Sequence, residues 1–275
     1  MDTFEILSTI RNYSGLDSED KLGTPLLRRS ANLGMHYVAQ VLQPIFAPFL
    51  ARTRDYAAQS GASIGIPGDV LRIIDFERKN TANLWKTCTA VAVEDRGQIA
   101  RNANYPGKTE EYPAYVHEGR EVYIYPELSS TDIRMRYRRR LADMADGVAN
   151  YESAASAALG GNAKPEADFY IGYDVAVYVE TSGSRTLKGI YRCTGYTAAK
   201  VATLSGTGIF LASGETYYFA LVPILPEEFH NLVVDAGLIE LKKSRRFDDG
   251  SNWKADLDAL NARLGTILKA HGAEE

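Results

Sequence analysis

Histidine and cysteine are scarce in this chain, four and two among 275 residues. Cys88 and Cys193 stand far apart in sequence, which favours free thiols in a reducing compartment over a disulfide framework. His36, His117, His230 and His271 fall in no HExxH, CxxC or carboxylate–histidine spacing of a metal site. Also missing are a G-x-S-x-G elbow, a P-loop and a G-x-G-x-x-G turn between strand and helix. Gly206-Thr207-Gly208 opens no helical pattern and reads as a hairpin turn. No two carboxylates are spaced to predict a general acid and base in one cleft. A net charge of −4 argues against a protein whose main task is gripping nucleic acid. No apolar run is long enough to span a bilayer, and MDTFEILSTIRN lacks a basic segment ahead of an apolar core. The expectation is therefore no enzyme, cofactor, metal or membrane, and synthesis in the cytoplasm.

What is present is helical at both ends. Residues 225–247, LPEEFHNLVVDAGLIELKKSRRF, read as one helix. Pro226 suits a first turn, Glu227 and Glu228 complement the positive end of the dipole, and Lys242, Lys243, Arg245 and Arg246 the negative end. Phe229, Leu232, Val233, Ala236 and Ile239 form its apolar stripe. After a turn at Asp248-Asp249-Gly250 and a cap at Ser251, a seam of Trp253, Leu257, Leu260, Leu264 and Ile267 predicts a terminal helical hairpin. Near the start, Phe4, Leu7 and Ile10 mark a first helix that Gly15 ends. Leu27, Ala31, Gly34, Val38 and Val41 mark a second that stops before Pro44.

Between these ends the period changes to two. Candidate strands run over 49–59, 69–76, 87–93, 114–116, 121–125 and 132–140, with Pro126 among the breakers. In the last of them Ile133, Met135 and Tyr137 face one way and Arg134, Arg136 and Arg138 the other. Residues 145–162 are small and polar and read as a linker. A second β segment follows over 169–181, 188–194, 199–205 and 217–221. The expected class is α+β: about four helices bundled from both chain ends, an antiparallel sheet, and an inserted small β domain. The boundaries are 1–144 with 223–275 for the core, 145–162 for the linker and 163–222 for the insertion.

Three readings of the basic run Arg134, Arg136, Arg138, Arg139 and Arg140 stay open: DNA phosphates, an acidic protein face, or the wet side of a sheet. Seventeen tyrosines against nine phenylalanines suit half-buried strands and assembly surfaces. Tyr112, Tyr115, Tyr123 and Tyr125 read as a stacking platform or as half core and half subunit contact.

IRMRYRRRL, then PEEFHNLVVDAGLIEL and a terminal amphipathic helix, resembles the head-to-tail connector (adaptor) proteins of tailed phages. The likeness covers 1–145 and the last fifty residues, with 142–225 lying between strand and helix. It implies a virion protein at the head-tail junction, a ring of twelve copies between the portal protein and the next neck or tail protein, and a channel that genomic DNA crosses without sequence-specific binding. Candidate partner-facing groups are Arg138, Arg139, Arg140, Lys242, Arg245, Arg246 and Trp253. The alternative is a carbohydrate-binding or adhesion virion protein acting through the inserted β module.

Overall fold

The structure is a computed structural model that describes residues 1–14, 24–102, 104–205, 214–244 and 253–272. It is predominantly β, which corrects the expected α+β class built on a helical bundle from both chain ends. Among the described residues twelve strands form two sheets, against six α-helices, of which α3 (Gln43–Phe46) and α4 (Arg96–Arg101) are a turn or two each. Helical periodicity is conspicuous in a sequence because it persists over many residues, whereas most strands here are too short to weigh as heavily. The chain divides into two compact units, Leu50–Arg140, and Met1–Phe49 with Leu141–Glu275.

The unit Leu50–Arg140 is a six-stranded sheet with β6 (Glu121–Arg139) as its spine. β1 (Ala51–Gly65) covers one edge of β6 along its length. On the other edge β2 (Val70–Lys79) pairs with the C-terminal half and β5 (Ala114–Glu118) with the N-terminal half. β3 (Trp85–Thr87) flanks β2, and β4 (Thr89–Val91) runs parallel to β5. Pro126 does not end the strand as its sequence suggests. It lies where the β1–β6 register slips between Gly61 and Ser63, a bulge at which a missing donor costs no ladder bond. Ile133, Met135 and Tyr137 are fully buried with Phe76, Val122 and Ile124, as their alternation requires.

In the other unit, β7 (Asp146–Ser153), β8 (Ser156–Leu159), β9 (Asp174–Thr181), β10 (Ser184–Tyr196), β11 (Val201–Ser205) and β12 (Tyr217–Leu221) close a barrel in the order β10-β11-β8-β7-β12-β9. The stretch expected as a linker is thus β7 and β8, and the barrel begins at Asp146, before the expected insertion boundary. Its small residues have a packing reason. Ala149 and Ala157 point into a lumen already occupied by Tyr170, Tyr173, Tyr191, Tyr196 and Tyr217, so larger side chains would not fit. Tyr170 stands edge-on to Phe169, Tyr173 and Tyr196 with centroids 5.0, 6.0 and 4.9 Å away. The tyrosines most numerous in this half of the chain are therefore core.

Four helices of this unit, α1 (Thr3–Tyr13), α2 (Thr24–Val41), α5 (His230–Lys243) and α6 (Trp253–Ala270), share one apolar cluster. Asp2 caps α1 through a capping box with Glu5. Ile6, Leu7 and Ile10 face the cluster, while Phe4 turns to the barrel and meets Tyr178 edge-on at 5.3 Å. The Thr3 hydroxyl donates to the Leu221 carbonyl at 2.7 Å, tying α1 to β12. α5 follows a 3-10 turn, Glu227–Phe229, rather than forming one helix from Leu225, and it is buried on most sides. By contrast, only Leu260 and Leu264 of α6 are fully covered. The predicted turns at Asp248-Asp249-Gly250 and Gly206-Thr207-Gly208, the Ser251 cap and the Gly15 stop lie outside the described residues.

Candidate interaction surfaces

The basic run of β6 divides by the pleat of its strand. Arg134 and Arg136 project from the wet face, where β1 and β2 supply acids. Arg134 donates from Nε and Nη2 to Asp55 at 2.8 and 3.3 Å and stacks 4.3 Å over the Trp85 ring. Arg136 reaches Asp75 at 3.3 Å and Glu77 at 3.2 Å. Lys79 completes the row with Asp132 at 2.9 Å. The Arg134 hydrogen bond holds the Asp55 carboxyl below its ordinary range, and hydrogen bonds from the Ala58 amide and then Lys79 do the same for Asp132. Each cation of this row has a carboxylate partner. Little field is left over to hold phosphates, and the pairs themselves contribute little stability at an exposed surface.

Arg139 corrects its own assignment as a partner-facing group, because it is only 7% exposed. Alternation already dictates this: two residues on from Tyr137, it shares the dry face. There it lies near buried Asp69, which accepts from the Tyr137 hydroxyl at 3.2 Å and from Arg52 at 3.3 Å. Burial raises the Asp69 pKa and the Arg52 charge opposes that shift. Arg138 is half-buried and Arg140 exposed, its amide bonded to the Asp69 carbonyl at 2.6 Å.

In the other unit, Lys242 pairs with Asp256 at 3.0 Å across α5 and α6. Trp253 is half-buried, with the ammonium groups of Lys243 and Lys254 5.4 and 5.7 Å from its ring. Arg245 and Arg246 lie outside the described residues. The predicted sites among the described residues thus fall in two separate units.

The tyrosine platform does not form. Tyr115 is buried against Phe76 at 5.0 Å, Tyr112 is 74% exposed, and Tyr123 and Tyr125 serve Arg96. That guanidinium stacks 4.0 Å over Tyr123 and donates to the Tyr125 hydroxyl at 2.7 Å. Sequence reasoning did not anticipate Trp85 as the lid of a cation row. A single tryptophan after the turn NTANL carries no pattern that would reveal it.

Among the described residues β1, β3 and β4 each pair on one side only. β1 pairs only with β6, so its outer side is without a partner strand among the described residues, and most of its side chains are exposed. β4 likewise pairs only with β5. Among the described residues no group of three His, Cys, Asp or Glu side chains is placed to hold a metal, and no helix is long and apolar enough to cross a membrane. No protein-family model matches the chain, and no curated protein matches it significantly.

Proposed function

We propose that this chain is a structural adaptor of a tailed phage, a virion protein that closes into a twelve-copy ring between the portal and the next neck or tail protein. The resemblance of IRMRYRRRL and PEEFHNLVVDAGLIEL to that family supplies the reading. The free edge of β1 carries it furthest. Over 51–56 the register with β6 is regular, and β1 pairs with no second strand among the described residues, so this stretch is an edge of the sheet. Such an edge is a template for a neighbouring chain. A ring requires two different surfaces that meet head to tail and close by rotation. The strand edge is one such surface, and Arg138, Arg140, Lys242 and Trp253 remain our assignments for contacts with the portal and its neighbours.

The paired cations of the wet face support the proposed handling of DNA. A channel lined by free arginines would retain DNA, because each phosphate contact adds affinity through counterion release. A surface whose arginines are already held by Asp55, Asp75 and Glu77 lets it pass.

The test is the copy number of this chain in purified particles, measured by cryo-electron microscopy and by quantitative mass spectrometry against the portal. Twelve copies per particle on the portal axis is the expected result. A chain absent from the particle, or present in a number unrelated to twelve, overturns the proposal.

A further inference from the structure

Between α1 and the barrel wall lies a cavity of about 430 Å³, lined by Phe4, Leu7, Ser8 and Arg11 of the helix and by Asp146, Tyr178 and Arg185 of the barrel. The helical residues are spaced as one face should be, at i, i+3, i+4 and i+7. The volume lies within the range of small-molecule sites.

Arg185 is the unusual group. Its guanidinium lies 3.7 Å from the Tyr218 ring centroid and 5.2 Å from that of Phe4. The nearer ring orients the guanidinium, while the side chain itself stays exposed and open to a ligand. Its N–H fork has no acceptor among the described residues, although nearly every other arginine of this unit is committed. Arg28, for example, holds Asp146 through Nε and Nη2 at 2.8 and 2.7 Å, so the cavity's one acid is already neutralised. Arg192 holds Asp174 at 2.9 Å and Arg263 holds Asp235. The Ser8 hydroxyl likewise has no acceptor among the described residues. The Tyr178 hydroxyl is spent on Asp2, so Tyr178 offers its ring alone. Arg11 adds positive charge at the rim.

We infer that this cavity binds a small organic carboxylate, with Arg185 and Ser8 holding the carboxylate and Phe4, Leu7 and Tyr178 covering an apolar or aromatic body. A planar fork donates two parallel bonds to a carboxylate. One fork and one hydroxyl are too few for a phosphate dianion, which presents more oxygens than these donors satisfy. The apolar share of the lining would be idle against a bare inorganic ion. The inference does not depend on the adaptor reading, since it concerns a site within one protomer.

The experiment titrates the full-length protein with benzoate, inorganic phosphate and benzyl alcohol by calorimetry and by amide NMR. Saturable one-to-one binding of benzoate is expected, with phosphate and benzyl alcohol at least about tenfold weaker. Arg185→Gln should weaken benzoate by about tenfold or more, Arg185→Lys by less, and Ser8→Ala by about threefold. Thermal midpoints equal to that of the parent establish that the variants fold. Should Arg185→Gln fail to fold, Ser8→Ala, a change at an exposed helical position, carries the test. No saturable benzoate binding up to about 50 mM, binding unchanged by every one of these substitutions, or phosphate binding as tightly as benzoate each overturns the assignment.

Discussion

Gly34 on α2 and Gly237 on α5 meet backbone to backbone: a Cβ on Gly34 would lie 2.4 Å from the Gly237 amide nitrogen, and one on Gly237 would lie 2.8 Å from Cδ1 of Ile10. Glycine at both positions is what lets α2 and α5 approach closely enough to bury Ala31, Met35, Val233 and Ala236 between them. Neither neighbour of Gly34 is a side chain that can swing aside, so the helices themselves must separate to admit a methyl group. Gly34→Ala is expected to destabilise the protein by about 3 kcal/mol, at the upper end of ordinary overpacking. Gly265→Ala on α6, where an added Cβ meets nothing within 4 Å, is expected to be neutral or to stabilise by up to about 1 kcal/mol. Urea denaturation of the two variants decides it. Equal midpoints would mean that the helices part at no cost.

Arg78 is 1% exposed in the core of the sheet unit and has a depressed pKa, chiefly from burial. Its Nη1 donates to the Pro126 carbonyl at 2.6 Å and its Nη2 to Glu110 at 3.4 Å, so one side chain joins β2, the bend in β6 and the segment before β5. Asn80 reinforces the same junction by donating to Glu111 at 2.8 Å. Truncation leaves a void and an unpaired buried carbonyl, whereas methionine retains most of the volume. Arg78→Ala is therefore expected to cost about 3 to 4 kcal/mol and Arg78→Met about half as much. Hydrogen exchange should locate the lost protection at the Gly107 and Tyr112 amides and at the amides flanking Pro126. Loss confined to β2 would show that the arginine is not the tie between these segments.

Much of the packing was readable wherever a single period ran undisturbed. Leu27, Ala31, Gly34 and Val38 on α2, Leu232, Val233, Ala236 and Ile239 on α5, and Ile133, Met135 and Tyr137 on β6 are buried as their spacing requires. The same rule, carried two residues further, places Arg139 on the buried side, where its charge obscures the pattern. β7 and β8 were hidden for a different reason. Alanine and glycine signal a linker by composition, yet here they are small because tyrosines from five other positions fill the lumen. No local rule reports a residue's size relative to partners distant in sequence. The stack that fixes Arg185 is equally non-local, since it joins α1, β10 and β12, and this is why the cavity has no counterpart in the sequence reading.

Both thiols are buried, Cys88 in the sheet unit and Cys193 in the barrel, and neither is in a disulfide. Burial pushes the Cys88 pKa up to about 12. The thiolate is the reactive species, so at pH 8 Cys88 is far from its reactive form as well as shielded. Iodoacetamide is expected to leave Cys88 unmodified in the native protein and to alkylate it fully in denaturant, as read by intact and peptide mass spectrometry. Labelling of Cys88 in the native state at a rate near that of a free thiol would contradict the closed core around Phe76 and Tyr115.

His230 is 2% exposed, and its Nε2 lies 2.8 Å from the Leu225 carbonyl while its Nδ1 faces the Met1 amino group at 2.9 Å. Bonded to a carbonyl, Nε2 must carry the proton, which leaves Nδ1 as the acceptor of a neutral ring. Burial first, and then the nearby amino group's charge, hold its pKa below the usual 6.5. The unfolded chain therefore takes up this proton first as the solution is acidified. Stability from His230 is fully present above pH 6.5 and declines below it, by up to about 1.4 kcal/mol per pH unit, until the folded pKa is reached. Asp2 and Asp69, whose pKa values burial raises, act in the opposite sense at lower pH, so the comparison must be between proteins. Glutamine keeps a donor for Leu225 and removes the titration. The urea midpoint of the parent is expected to fall between pH 7 and 5.5, and that of His230→Gln to change less over the same interval. Parallel pH profiles would mean that His230 accepts its proton in place and that the contact with Leu225 does not depend on a neutral ring.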